Sequence, residues 1–173
     1  MSSRVQYAIA FVMILAASFS RLIPHPANVA PIAAIALFGG VYFDKKFALI
    51  VPLAALLISD FFIGFYGEIV FVYAGFILAG LVGVWLKNHK SVGMIAGATM
   101  ASSLIFFVIT NYGSWISMPS VYERSVAGLI ACYIAAIPFF RNSLAGDLVY
   151  VALLFGSYEL VLRYAVKRTA VQA

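Results

Sequence analysis

The chain has 173 residues, of which 65% are hydrophobic and only 10% are charged, and its mean hydropathy is +1.06. Soluble domains carry about 45–50% apolar and about 25% charged residues, so this composition excludes a soluble protein and indicates one embedded in a lipid bilayer. The net charge of +5 does not indicate nucleic-acid binding, because basic residues in a membrane protein chiefly set its orientation.

Six apolar segments are predicted to cross the membrane, at residues 5–22, 29–43, 47–66, 69–86, 91–112 and 144–166. A crossing helix needs about 20 apolar residues, and the second segment is shorter than that. A further apolar stretch, residues 125–140, is ambiguous, because it either crosses or only dips into the bilayer. Seven crossings would put the two termini on opposite sides, and six would put them on the same side.

The distribution of basic residues favours six crossings. With a cytoplasmic N-terminus, six crossings place eight basic residues inside and three outside, whereas seven crossings give six against five. The eight are Arg4, Lys45, Lys46, Lys87, Lys90, Arg163, Lys167 and Arg168, and the three are Arg21, Arg124 and Arg141. Residues 122–138 are therefore expected to form an outer half-helix or re-entrant segment, which Pro138 separates from the last span.

Polar side chains gather in the connections expected on the outer side, whereas the inner connections are short. A proline-rich corner, RLIPHPAN, follows the first span, and its prolines stiffen the loop. The longest connection, TNYGSWISMPSVYERS, follows the fifth span. Aromatic and charged loop residues over a rigid scaffold often form binding sites. The expected walls of an outward-facing pocket are Arg21, His25 and Asn28; Asn111, Tyr112 and Trp115; and Arg141, Asn142 and Asp147.

Two carboxylates are expected at membrane depth. Asp60 lies deep in the third span, where an ionised group is costly and needs a partner, for which Arg21 is the candidate. Asp147 is expected at the start of the last span, where the helix dipole favours a carboxylate, with Arg141 as its partner. Asp60 joins the expected substrate-binding residues, and a structural ion pair is the alternative for both carboxylates.

Three further signals have structural explanations. Glu159 and Arg163 are four residues apart, so we expect an ion pair on one helix. Gly93 and Gly97 begin a small-residue face on the fifth span, a feature common inside membrane bundles. Trp115 fits the aromatic belt of a membrane interface as well as it fits a ligand contact.

No motif in the sequence predicts an enzyme, and neither a cofactor nor a metal ion is expected. The chain has no P-loop, no GxSxG elbow and no HExxH motif. His25 lies between two prolines, and no second His or Cys stands at metal-ligand spacing from it, so a structural role or a ligand contact is expected instead.

Four stretches carry a resemblance that covers nearly the whole chain: SRLIPHPANVAPIAAIALFGGVYF, VPLAALLISDFFIG, FFVITNYGSW and GLIACYIAAIPFFRNSLAGDL. With them the chain resembles an uncharacterised bacterial membrane family described only as transport proteins. That family is similar, more weakly, to the S components of energy-coupling factor (ECF) vitamin transporters. The shared features are a short second span ending in Gly-Gly, a third span after a basic turn, and a Pro-Phe near the last span.

The resemblance to S components implies an all-α integral membrane protein, a compact bundle of six transmembrane helices. It implies a place in the bacterial cytoplasmic membrane with both termini cytoplasmic. It also implies that the chain is the substrate-binding component of an uptake transporter. Such a component binds a vitamin or related metabolite in an outward-facing pocket. The implied partner is the ECF coupling module, which S components meet through an Ala-xxx-Ala face on the first helix. Here only Ala16 and Ser20 have that spacing, so the chain could instead act alone.

Two other functions stay open at the level of sequence. The chain could be a stand-alone proton-coupled carrier that uses Asp60 as its titrating group. It could also be a non-transporting membrane assembly subunit, which would bind no small molecule and would have a stable protein partner.

Overall fold

The described residues form six α-helices, close to the positions that the apolar segments predict. The computed structural model describes residues 3–24, 28–44 and 46–171, with side chains as far as Ala165. The helices are α1 (Ser3–Ser20), α2 (Ile32–Tyr42), α3 (Phe47–Ile63), α4 (Ile69–Leu86), α5 (Val92–Ser117) and α6 (Val126–Val171). The described residues contain no β-strand, and the expected all-α class is confirmed.

Four of these helices are long and apolar enough to cross a membrane. They are α1, α4, α5 and the Val126–Ala165 part of α6. Helices α2 and α3 have 11 and 17 residues, fewer than the roughly 20 that a complete crossing needs. The lengths and compositions of the helices therefore agree with the composition of the chain in indicating a membrane protein.

The short helix α2 lies at the centre of the bundle. Every residue from Ala33 to Val41 is buried, and α2 contacts each of the other five helices. A helix that is apolar on all sides is expected to be buried on all sides. Its Phe38 ring meets the rings of Phe155 and Tyr158 edge-on, with centroids 5.4 Å apart in both pairs. Since α2 is surrounded by protein, it does not have to match the thickness of the bilayer.

The last helix, α6, is continuous over 46 residues, and this corrects the expected break at Pro138. Residues 122–138 do not form a separate half-helix, because all but the first few belong to α6. A proline inside a helix removes one backbone hydrogen bond, which membrane helices tolerate where neighbouring helices pack nearby. Helix α5 supplies that packing, since its Phe107 ring lies 4.7 Å from the Phe140 ring of α6.

One end of the bundle is joined by polar contacts around Asp44, and we call it the Asp44 end. The Tyr7 hydroxyl donates to Asp44 Oδ2 at 2.5 Å, and Lys87 Nζ lies 3.5 Å from Asp44 Oδ1. The hydrogen bond from Tyr7, together with Lys87, holds the pKa of Asp44 below its usual value. These contacts bring together the start of α1, the turn after α2 and the turn after α4, so successive helices alternate in direction.

Glu159 of α6 also lies at the Asp44 end. Its Oε1 is 2.6 Å from Lys90 Nζ and accepts a hydrogen bond from the Tyr42 hydroxyl at 2.8 Å. The ion pair therefore joins α6 to the turn between α4 and α5, and it does not form with Arg163 on the same helix as expected. The alternation of helix directions places residues 21–24, 28–31, 64–68 and 118–125 at the opposite end.

Candidate functional site

A cavity of about 370 Å³ lies at the opposite end, between α5 and the first half of α6. The turn before α4, the first residues of α4 and the residues around the start of α2 form its remaining walls. Small-molecule sites usually have volumes of roughly 300–1,000 Å³ and mix apolar surfaces with a few polar groups. This cavity has both properties, so it is the candidate binding site.

Helix α5 presents one face to the cavity. Ser103, Phe107, Thr110, Asn111 and Ser114 all line it. Their spacing of three or four residues places them on one side of an α-helix. Asn111 Nδ2 donates to the Phe107 carbonyl one turn earlier at 2.8 Å, which fixes the orientation of the amide.

Helix α6 presents a matching face to the same space. Ala136, Phe139, Phe140, Ser143 and Asp147 line the cavity and follow the same spacing of three or four residues. These residues lie on both sides of Pro138, so the cavity depends on the continuity of α6. A break at that proline would leave the two halves of this wall free to move apart.

Asp147 is a buried lining residue, with 4% of its surface exposed. Ser103 Oγ donates to its Oδ2 at 2.7 Å, and the backbone amide of Ala34, in the first turn of α2, also hydrogen-bonds it. The expected position at a helix start is wrong, because α6 begins at Val126 and the dipole near Asp147 is that of α2. The expected partner Arg141 is wrong too, because six residues along a helix turn the two side chains to different sides.

The expected pairing of Arg21 with Asp60 is confirmed. Arg21 Nη2 lies 2.7 Å from Asp60 Oδ1, and the two side chains are 6% and 0% exposed. Arg21 Nη1 also donates to Ser59 Oγ. The pair adjoins the cavity through Tyr66, a lining residue within hydrogen-bonding reach of Arg21. Burial and the neighbouring Asp60 carboxylate raise the pKa of Tyr66, so its hydroxyl keeps its proton at neutral pH.

Among the expected site residues, Asn28, Asn111 and Asp147 are brought together in the cavity wall. Asn28 has a φ of 62°, a left-handed conformation that asparagine adopts more readily than most residues. Arg141 and Asn142 are exposed on α6 and lie outside the cavity lining.

Tyr112 and Trp115 are also apart from the lining. The Tyr112 ring packs edge-on against Phe71 with centroids 6.1 Å apart. Trp115 Nε1 donates to the Glu123 carbonyl at 2.9 Å, which closes the turn between α5 and α6. His25 lies outside the described residues.

Sequence reasoning missed the aromatic part of the lining and one of its carboxylates. Phe106, Phe107, Phe139 and Phe140 all contact the cavity, as does Glu68 just before α4. Each phenylalanine lies within one helical turn of a polar lining residue, but that spacing alone does not separate these rings from the lipid-facing ones.

The lining carboxylates, Glu68 and Asp147, do not by themselves form a metal site. Within the part of the chain that the structure describes, no group of three or more His, Cys, Asp or Glu side chains could hold a metal ion. The lining combines aromatic rings with hydrogen-bonding groups.

Comparison with known proteins gave one match. The model of a family of unknown function, DUF6580, matches residues 1–170. No curated protein and no solved structure matches the chain.

Proposed function

We propose a function for this chain, which belongs to the DUF6580 family, from the position and lining of its cavity. It is the substrate-binding membrane component of a transporter that takes up a small molecule, a vitamin or related metabolite. The observation that carries this proposal is the cavity between α5 and α6, which combines four phenylalanine rings with Asn111 and other hydrogen-bonding groups. Such a combination is typical of sites that recognise a small, partly aromatic ligand.

The proposed orientation puts the Asp44 end in the cytoplasm and the cavity towards the outside. Lys87 and Lys90 lie at the Asp44 end, as the positive-inside rule requires of a cytoplasmic surface. Along α6, Arg141 and Glu159 are separated by about 27 Å, close to the roughly 30 Å of the hydrocarbon core. In this arrangement α6 crosses once, all six helices alternate in direction, and both termini are in the cytoplasm of a bacterial cell.

The proposed partner is an ECF-type coupling module, which would drive release of the substrate to the cytoplasm. Ala8, Val12 and Ala16 are exposed and spaced by four residues on α1, so they share one outward face. Ala8 and Ala16 have the small side chains that allow two membrane helices to approach closely, whereas Val12 between them is larger. This face is therefore the proposed contact with the module. In a transporter that acts alone, the same face would contact lipid.

The proposal is tested by identifying small molecules released from the gently purified protein by mass spectrometry. Asn111→Ala removes a polar group from the cavity wall, so we expect the bound molecule to be lost or its affinity to fall by about tenfold. Trp115→Ala is the matched control, because Trp115 is on the same helix but braces the turn outside the cavity. We expect it to keep the molecule.

An equal loss in both variants would mean that the ligand lies in the outer turn and not in the cavity. A wild-type protein that releases no metabolite and binds none would favour the assembly subunit.

The proton-coupled carrier is less well supported. Asp60 is held by Arg21 in a buried ion pair, so any part in transport would require that contact to open. The same contact gives Asp60 a structural role.

A further inference from the structure

Two aspartates are buried in the bundle, and they differ in how their charge is balanced. Asp60 is 0% exposed and lies 2.7 Å from the guanidinium of Arg21. Asp147 is 4% exposed, and the groups that donate to it, the Ser103 hydroxyl and a backbone amide, are neutral. None of the ion pairs within the described part of the chain involves Asp147. A carboxylate buried without a cation is costly, so a positive charge from a ligand would stabilise it.

The rest of the cavity strengthens this electrostatic preference. Glu68 provides a second carboxylate, and no Lys or Arg occurs among the lining residues that the structure describes. Like charges in a cleft with walls of low dielectric constant concentrate the electric field and attract ions of the opposite sign. An anionic metabolite would meet two carboxylates there, with no basic side chain of the described lining to receive it.

The aromatic lining adds a second requirement. Phe106, Phe107, Phe139 and Phe140 all contact the cavity, and the rings of Phe107 and Phe140 have centroids 4.7 Å apart. Phenylalanine rings stack with flat aromatic groups, and their faces attract a cation within about 6 Å of the ring centroid. A ligand with both an aromatic ring and a positive charge would use both properties.

We propose that the cavity binds a small aromatic molecule carrying a protonated amine, with the amine paired to Asp147 and the aromatic part held among the phenylalanine rings. Glu68 contributes by attracting the cation. The inference rests on the proposed function, since it takes the cavity as the substrate site, and it adds the charge and shape of the substrate.

Three indole compounds that differ chiefly in charge provide the test: tryptamine, a cation; tryptophol, which is neutral; and indole-3-propionate, an anion. Each is titrated into the full-length protein in lipid nanodiscs at pH 7, and the affinity is measured by calorimetry. Tryptamine is expected to bind at least about tenfold more tightly than tryptophol, because it can form a buried ion pair, and indole-3-propionate is expected to bind most weakly.

Variants then locate the source of the preference. In Asp147→Asn the ratio of tryptamine to tryptophol affinity is expected to fall to about five or less, the preference that Glu68 alone provides, while tryptophol binding persists. Asp44→Asn makes the same chemical change at the Asp44 end, outside the cavity, and should keep the wild-type ratio. Glu68→Gln leaves the buried Asp147 unchanged and should weaken tryptamine binding by about two- to fivefold. It keeps the test decisive if Asp147→Asn does not fold.

The outcomes separate this inference from the proposed function. Tryptophol or indole-3-propionate binding as tightly as tryptamine overturns the charge assignment, yet leaves the cavity as a binding site. Release from the wild-type protein of a metabolite without a basic group would likewise overturn the charge assignment and leave the cavity as a binding site. A preference for tryptamine that survives both Asp147→Asn and Glu68→Gln overturns the roles given to these residues. A wild-type protein that binds no probe and releases no metabolite overturns both proposals.

Discussion

Arg21 and Asp60 show at the scale of single residues how the bundle keeps charges at membrane depth. Their side chains are 6% and 0% exposed, so each would face a large desolvation cost without the other. The Lys90–Glu159 pair is as short, but its side chains are 39% and 38% exposed. Water screens such a pair, and pairs of this kind contribute about 0–1 kcal/mol. Burial, and not distance, therefore decides which of the two pairs matters for stability.

A matched pair of substitutions tests this difference. Asp60→Asn leaves the Arg21 guanidinium buried without a counter-charge, so we expect a loss of about 3–5 kcal/mol in the free energy of unfolding. Glu159→Gln makes the same acid-to-amide change in the exposed pair and should cost no more than about 1 kcal/mol. Denaturant unfolding in detergent micelles measures both. Wild-type stability in Asp60→Asn, combined with a loss of proton-dependent transport, would contradict the structural role and favour the carrier.

The contact between α2 and α4 shows at the scale of elements why some glycines cannot be replaced. A Cβ on Gly40 would lie 2.4 Å from the Gly80 carbonyl oxygen and 2.7 Å from Gly83 Cα. These are backbone atoms, so the helices would have to separate. In contrast, a Cβ on Gly93 or Gly97 would meet nothing within 4 Å. The small-residue face expected inside the bundle on α5 therefore lies on its surface.

Alanine substitutions on the two kinds of face should differ in their effect on stability. Gly40→Ala forces α2 and α4 apart, and we expect it to lower the free energy of unfolding by about 1–3 kcal/mol. Gly97→Ala adds a methyl group in open space and improves helix propensity, so stability should stay unchanged or rise by up to about 1 kcal/mol. Thermal unfolding in micelles compares them. Destabilisation by Gly97→Ala would show that this face is covered by another helix in the membrane.

Helix positions followed from the sequence because each apolar run is bounded by polar or turn-forming residues. The predicted break in α6 at Pro138 was wrong. A proline usually breaks a helix through its effect on the local backbone, but here the helix continues through Pro138 because it packs against α5. That packing joins residues distant in sequence, such as Phe107 and Phe140. No local pattern could have indicated it.

The candidate site was predictable only in its polar part. Asn111 and Asp147 stand out in apolar helices, so the sequence identified them, and Asp60 was matched correctly with Arg21. The phenylalanines did not stand out, because the chain has 15 of them and lipid-facing rings look the same in sequence as cavity-lining ones. Distinguishing them requires the angle between α5 and α6, which only the folded bundle provides.

The two ends of the whole molecule differ in what they expose. The Asp44 end carries basic residues in short turns, including Lys87 and Lys90, whereas the opposite end carries the cavity and the longest turn. A binding component for uptake requires the cavity to open outside the cell, and the positive-inside rule requires the Asp44 end to lie inside. Both requirements are met by one orientation, so a measurement of orientation tests the proposed function as well as the topology.

Labelling of single cysteines in intact cells provides that measurement. The native Cys132 is buried, and Cys132→Ser gives a background without thiols. In that background, Ser120→Cys in the turn between α5 and α6 should react with a membrane-impermeant maleimide, because the proposed orientation places it outside. Asn88→Cys and Tyr164→Cys should react only after the membrane is permeabilised. If Tyr164→Cys alone is labelled from outside, α6 does not cross the membrane once as proposed. If Asn88→Cys is labelled from outside, the protein has the inverse orientation and its cavity faces the cytoplasm.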